Sequence, residues 1–307
     1  MYTLWNTLVE SSTNGTFLHH RDFMGYHGQR FVDASLLIYL GDRPVAVFPA
    51  ERDGDAVYAH RGLTYAGWIL AENLPSEELK NVVAATLRHY QHLGVQMLEI
   101  RSVPDCFASF PQRNLVEVCL HSGGKITARP IHQATPLPHT ITDRGKVWGR
   151  KKALAKGLSV KVSEDWSHFW QQILTPNLLR RHGVTPTHTL AEITHLRAKF
   201  TNQIRLHGVY AGEEMLGGAV VFDTKRCAHL QYTTATEVGK SLRCLDLLMG
   251  VLVEQVYGHR DYFNFGVSHI PATGKINTGL SQWKESLGAK HVFSYQVRFN
   301  CLDSWTN

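Results

Sequence analysis

Lys284 directly follows Trp283, and a cation beside an aromatic plate suits phosphates or the face of a nucleobase. The plain alternative is a surface lysine next to a core tryptophan. Gly239, Lys240 and Ser241 fall at a predicted helix start, where backbone amides and a lysine favour an anion such as a pyrophosphate. An ordinary loop would read the same way. Asn264 and Ser268 bracket Gly266 at a strand end, a usual ligand position in open α/β sheets, and equally what a strand-terminating turn needs. His229 and Tyr232 lie on one strand at odd spacing, which predicts opposite faces. Either could relay a proton in a cleft; a hydrogen-bonded core histidine is the competing reading.

Two further polar sets occur near the N-terminus. Arg21 and His27 belong to the run His19-His20-Arg21-Asp22 and Tyr26-His27, and a solvated helix face would explain them too. Tyr58, His60, Arg61 and Tyr65 sit on a strand and its following loop, expected to border a cleft. The 18 histidines raise the question of a metal. There is no HExxH, and the Cys and His residues lack zinc-finger spacing, so no metal is expected.

The elements that position these residues come in two similar sets. Ser35–Leu40, Pro44–Pro49 and Ala56–His60 read as strands, with Gly41-Asp42-Arg43 and Asp53-Gly54-Asp55 as turns. A loop from Arg61 to Gly67 follows, then a helix from about Pro75 to Leu93 capped at Ser76, and a strand Met97–Ile100. The second set repeats the order: strands Ile204–Tyr210, Leu216–Phe222 and Ala228–Thr234, a loop Thr236–Ser241, a helix Leu242–Tyr257 and a strand from Tyr262. An offset of about 165–170 residues means duplicated domains and not a solenoid. Between them, Thr127–Pro138 reads as an interdomain loop because of its prolines. A basic helical stretch from Arg144 to Lys156 follows, then a helix Trp166–Leu179 expected to break or kink at Pro176. Thr189-Leu190-Ala191-Glu192 is a capping box opening one more helix. Domains are therefore expected over 1–143 and 144–307, with the last strand free to return to the first.

Composition narrows the class. At 307 residues, 43% hydrophobic and 19% charged, the chain reads as an ordinary globular protein. No run of about 18 apolar residues suggests a membrane span and no basic-then-apolar start suggests a secretory signal, so a cytoplasmic protein is expected. Five scattered cysteines without a CxxC pair fit free thiols in a reducing compartment. Residues 1–145 hold 12 basic and 14 acidic side chains, whereas the remainder carries a net charge of +8. A basic second half suits a polyanion, a phosphate-rich co-substrate or RNA, although solubility alone would also account for it.

A hairpin feeding a strand, loop, helix and strand, written twice, resembles the FemAB/FemX group of tandem GNAT acyltransferases. The likeness is carried by Phe263-Asn264-Phe265-Gly266-Val267-Ser268, by Gly279–Gly288 around Trp283-Lys284, by the basic helix Arg150–Lys156, and by Arg61–Gly67 in the first half. The helical-hairpin arm of some FemA-like members has no counterpart, and Glu237–Leu242 lacks the full glycine pattern of ordinary GNAT phosphate loops.

The resemblance implies an α/β (α+β) fold of two GNAT-like domains, each a mixed, largely antiparallel sheet flanked by helices. It implies an N-acyltransferase moving an acyl or aminoacyl group onto an amine of a small-molecule, sugar or peptide-like acceptor. No permanently bound cofactor is implied; acyl-coenzyme A, slightly favoured by the missing arm, or aminoacyl-tRNA, favoured by the basic helix, would be co-substrate. A non-catalytic RNA-binding module on the same scaffold is the opposing reading. Under the resemblance Lys284, Asn264, Tyr232 and His229 are the catalytic candidates. Trp283, Gly239, Lys240, Ser241 and Ser268 are assigned to the donor, and Arg21, His27, Tyr58, His60, Arg61 and Tyr65 to the acceptor.

Overall fold

In the helix Ser76–His92, residues Leu79, Val82, Val83, Thr86, Leu87 and Tyr90 recur at three- and four-residue spacing, and all are buried. Glu77 and Glu78 occupy its first turn, where the helix dipole favours them. Pro75 holds the capping position, so Ser76 is the first helical residue and not the cap. The computed structural model describes residues 2–269 and 274–302. Within them the chain forms two compact units. Unit 1 takes in the chain up to Ile131 and again from Val292, and unit 2 runs from His132 to His291. The division therefore falls at Ile131 and not at residue 143.

Unit 1 contains β1 (Val32–Asp33), β2 (Leu36–Leu40), β3 (Arg43–Phe48), β4 (Glu51–Asp53), β5 (Ala56–Tyr58), β6 (Ile69–Leu70), β7 (Met97–Arg101) and β8 (Lys125–Ala128). The chain crosses into unit 2 within β9 (Ile131–Pro136) and continues through β10 (Leu158–Ser163), β11 (Ile204–Ala211), β12 (Glu214–Asp223), β13 (Cys227–Ala235) and β14 (Tyr262–Val267). It returns within β15 (Lys290–Phe293) and ends its regular structure in β16 (Gln296–Asn300). The region 127–138 is thus not a loop. Pro130 separates β8 from β9, and Pro136 stands at the end of β9, so the prolines bound strands instead of excluding them.

The sheets of unit 1 are β2-β3-β6 and β1-β4-β5-β7-β16-β8; that of unit 2 is β10-β11-β12-β13-β14-β9-β15. Strand β16 lies between β7 and β8, where Val297 opposes Ile100 on one side and Ile126 on the other. Each unit contains a parallel pair joined through a helix, β5 with β7 and β13 with β14. The expected second-half strands all form. In unit 1 the corresponding strands divide between two sheets, because the chain turns at Pro49 and Ala50 between β3 and β4.

In unit 2, β12 is buried along its length from Met215 to Asp223, as a central strand covered on both faces must be. Val221, Leu247, Leu248, Leu252, Tyr257, Phe263 and Leu287 belong to its core. In unit 1 the Trp68 ring packs 4.9 Å from Phe48, and its Nε1–H donates to Thr86 at 2.9 Å. The helices of unit 2 depart from plain α geometry in two places. Around Pro176 the chain does not break: a wide π turn over Phe169–Leu174, in which Thr175 N–H reaches back to the carbonyl of Trp170, leads into Thr175–His182, and the missing N–H of Pro176 falls where the turn changes width. The expected loop Thr236–Ser241 contains a short helix, Glu237–Ser241, and Arg243 at φ 62° separates it from the expected second-half helix, which starts at Cys244 and runs on through a π turn, Leu252–Val256. Among the described residues no helix is long and apolar enough to cross a membrane.

Candidate active site

The parallel pairing of β13 with β14 lasts only three residues and ends at His229 opposite Asn264. Beyond it β13 stays with β12, while β14 pairs with β9 on its other side, so the sheet opens at this point. Asn264 is fully buried there. Its Oδ1 accepts the backbone N–H of Gly266 at 2.6 Å and lies 3.0 Å from Nδ1 of His229. A backbone N–H can only donate, so this atom is an acceptor and Nδ1 of His229 must carry its proton. The lone pair of the ring is thereby on Nε2. Gly266 has φ 70°, a conformation costly for any side chain, and this turns the next carbonyls towards the helix Thr278–Glu285.

Lys284, on that helix, is 2% exposed and donates Nζ–H to the carbonyls of Gly266 at 3.0 Å and Val267 at 2.8 Å. Two of its three N–H bonds are so assigned. No carboxylate compensates its charge among the causes that move its titration; burial alone pulls the pKa down to about 8. Burial first, and the neighbouring Lys284 cation further, hold His229 near 4 despite its bond to Asn264. His132 on β9 is pushed to about 3 by burial, with His229, Lys284 and His269 adding to the effect. The opened sheet thus presents one cation near its titration point and two neutral imidazoles.

Supporting groups pin this arrangement. Ser268 donates to Oε1 of Gln133, whose amide donates to Ser281 Oγ at 3.0 Å; Ser281 in turn donates to Glu285 at 2.8 Å. Ser268 is therefore engaged with β9 and does not point to a donor. The Trp283 ring packs edge-on against Phe265 at 5.9 Å, with Nζ of Lys146 5.7 Å from its centroid. A bulge at Gln231 overturns the expected parity on β13: Val221 opposes Leu230 but Val220 opposes Tyr232, which brings His229 and Tyr232 to one face. Gln231 hydrogen-bonds to both of them. The Tyr232 hydroxyl also meets Nδ1 of His188 at 2.7 Å. Sequence reading missed His132, Gln133 and Gln231. The alternation of His132 with Ala134 in a presumed loop was the one signal for the first two, and an unpaired bulge residue has none.

Comparison with known proteins settles the fold. No family model and no curated protein matches in sequence. Among solved structures, FemX matches with a TM-score of 0.71 over 96% of this chain and 96% of its own, at 12% identity. L-PGS from Bacillus licheniformis matches at 0.63 over 97% and 91%, at 13% identity. A tandem GNAT protein from the clavulanic acid biosynthesis pathway matches at 0.50 over 99% and 94%, also at 13% identity. The chain has the FemX-type tandem GNAT fold.

In this fold the segment Gly239-Lys240-Ser241 does not form an open anion cradle. It ends a five-residue helix capped by Thr236, whose Oγ1 takes the N–H of Gly239 at 3.0 Å and whose carbonyl takes that of Lys240 at 2.9 Å. The amides expected to meet pyrophosphate are spent inside the turn. Lys240 pairs with Glu237 at 2.7 Å, and Ser241 Oγ donates to Val238 O at 2.8 Å. The glycine is required by packing, since a Cβ there would lie 2.3 Å from the carbonyl oxygen of Leu216. Gly239→Ala is therefore expected to destabilise the fold by roughly 1–3 kcal/mol, as overpacking does, measurable as a lower midpoint in urea. An unchanged midpoint would return this segment to the donor site.

The basic helix is corrected in part as well. Lys146 bonds to Asp246 at 3.1 Å and Arg150 to Glu254 at 2.5 Å, while Gly149 and Ala153 are buried, so one face is a packing seam. Arg144, Lys151, Lys156 and Trp148 remain exposed.

In unit 1, Arg21, His27 and His60 line one cavity of about 330 Å³. Tyr58, Arg61 and Tyr65 lie outside that lining. Arg61 is held by Glu51 and Asp53, each at 2.9 Å, and covers the Tyr58 ring at 4.0 Å. Tyr65 is buried against Phe107, with its hydroxyl 3.4 Å from Thr16 Oγ1. These three are accounted for by structure.

Proposed function

We propose that this protein is an N-acyltransferase that forms an amide by moving an acyl group from an activated ester to an amine, with the chemistry in unit 2. The observation that carries the reading is the buried Lys284 at the opening of β13 from β14, beside the His229–Asn264 pair. The amine nitrogen attacks the acyl carbon, and negative charge develops on its oxygen. The remaining N–H of Lys284, in a poorly solvated setting, stabilises that charge. His229, uncharged near neutrality, accepts a hydrogen bond from the amine as Gln231 yields its place on the ring; with a pKa of about 4 it orients the nucleophile more than it stores its proton. The ester C–O bond then breaks, and the departing oxygen takes the proton that the amine nitrogen gives up, so the products are the amide and an alcohol.

The fold likeness to FemX and to a tandem GNAT protein supports transfer in general. For the donor, the closed Gly239 turn weighs against coenzyme A pyrophosphate, and the exposed Trp148 with Arg144, Lys151 and Lys156 is suited to RNA. We therefore favour an aminoacyl-tRNA donor over acyl-coenzyme A. The purified protein is incubated with a pool of small amines and either bulk aminoacyl-tRNA or a set of acyl-coenzyme A thioesters. Loss of aminoacyl ester above the spontaneous rate is expected. Thiol release instead would reassign the donor, and tRNA binding with neither reaction would leave a non-catalytic RNA module.

A further inference from the structure

The cavity of about 330 Å³ in unit 1 has an unusual charge pattern. Its lining contains Arg21, Asp22 and Asp33, so apart from histidines one cation faces two carboxylates. The Arg21 guanidinium is already committed: it donates to Asp33 Oδ2 at 2.8 Å and lies 4.0 Å over the Trp5 ring. Asp33 Oδ1 accepts from Ser35 N at 3.1 Å, which leaves this carboxylate further acceptor capacity. Asp22 meets Nδ1 of His20 at 2.9 Å and accepts from Asn6 at 3.4 Å. Excess negative charge among aromatic walls repels an anion and attracts a cation.

His60 provides the independent observation. It lines the same cavity, is 5% exposed, and among the described residues its Nδ1 has no hydrogen-bond partner. Its backbone sits at φ 35°, a left-handed conformation that a residue with a side chain adopts at a cost. The ring is wedged between His27 and Phe31, each 5.1 Å away. A strained backbone holding an unsatisfied imidazole at a cavity wall is the pattern of a ligand site. The wall also has room, because a Cβ on Gly25 would meet nothing within 4 Å.

We infer that unit 1 binds a small protonated amine, with its ammonium at Asp33 and Asp22, its remaining hydrogen-bonding capacity turned to His60, and its carbon chain against Phe31 and Tyr2. This binding site stands apart from the transfer reading above, whose attacking amine meets His229 in unit 2.

The test measures binding to the full chain without any donor, using butylamine, 1,5-diaminopentane and lysine amide beside butanol and pentanoate. The amines raise the melting temperature in a saturable way, and the alcohol and carboxylate do not. Asp33→Asn keeps an acceptor for Ser35 N and lowers amine affinity at least tenfold. Gly25→Met fills the open wall from a helical position and blocks binding, which decides the matter should the first variant fold poorly. Silence from every amine, tighter binding of pentanoate, or undiminished binding in Gly25→Met overturns the site. Amine binding without consumption of any donor upholds the site and refutes the transferase; donor consumption with no amine binding in this assay does the reverse.

Discussion

Lys284→Met is expected to lower kcat by roughly 100- to 1,000-fold, the usual loss when one stabiliser of a developing oxyanion is removed, with little change in melting temperature. Two opposing effects keep stability level. The substitution deprives the carbonyls of Gly266 and Val267 of their donor, a cost of roughly 1–3 kcal/mol for each buried group left unsatisfied. It also removes a cation whose burial is penalised, as its pKa of about 8 records. The pH dependence separates the roles. If the cation does the work, wild-type kcat/KM falls about tenfold per pH unit above pH 8 as Lys284 loses its proton.

Stability has the opposite slope in the same range. The folded pKa lies below the value of 10.5 for a free lysine, so between about 8 and 10.5 the unfolded chain binds the proton the native chain has lost. Native stability therefore gains a rising contribution across that window, and Lys284→Met lacks it. Urea midpoints at pH 8 and pH 10 read this directly. A variant with wild-type kcat would show that Lys284 does not touch the reaction, and one with the same rise in midpoint would show that it does not titrate as its burial demands.

The regular parts of unit 2 were legible because pattern and burial agree there. Strands β11 to β14 follow apolar runs bounded by Gly212, Glu213 and the Asp223–Arg226 turn, and each formed within a few residues of its expected place. Lys284 was also legible, as a cation beside an aromatic, although its burial was not: a lysine at an otherwise amphipathic helix position reads as solvent-facing. What escaped was local geometry set by tertiary context. The bulge at Gln231 reverses the face of every later residue on β13, and nothing in Leu230-Gln231-Tyr232 announces it. Arg243 adopts a left-handed conformation that sequence assigns to glycine or asparagine, and the expected loop Thr236–Ser241 became a closed helical turn set off by it from the helix that starts at Cys244. In unit 1, Arg21, His27 and His60 converge through contacts between segments up to about forty residues apart, which no periodicity encodes.

Asn264 offers the second large effect, because one oxygen does two jobs. Its Oδ1 satisfies Gly266 N, which sets the turn, and Nδ1–H of His229, which sets the tautomer. Asn264→Leu leaves the buried Gly266 N–H without its acceptor, a loss of roughly 1–3 kcal/mol, and takes the side-chain acceptor from His229. It also frees the imidazole to place its proton on Nε2, where it can no longer accept from the amine. We expect kcat to fall roughly 100-fold or more, the lower end of what a positioned acid–base group contributes. Asn264→Asp keeps both acceptors at nearly the same size, so the fold and the tautomer survive. Its carboxylate beside His229 favours the imidazolium and raises the His229 pKa from about 4. The acid limb of kcat then moves to higher pH, while activity on the alkaline side is largely retained. Chemical-shift titration of the His229 ring reads the same change without turnover. Equal damage from leucine and aspartate would mean that Asn264 serves the turn alone and that His229 stands outside the chemistry; separation of the two variants, one silent and one shifted in pH, is the signature of a histidine held in register for an incoming amine.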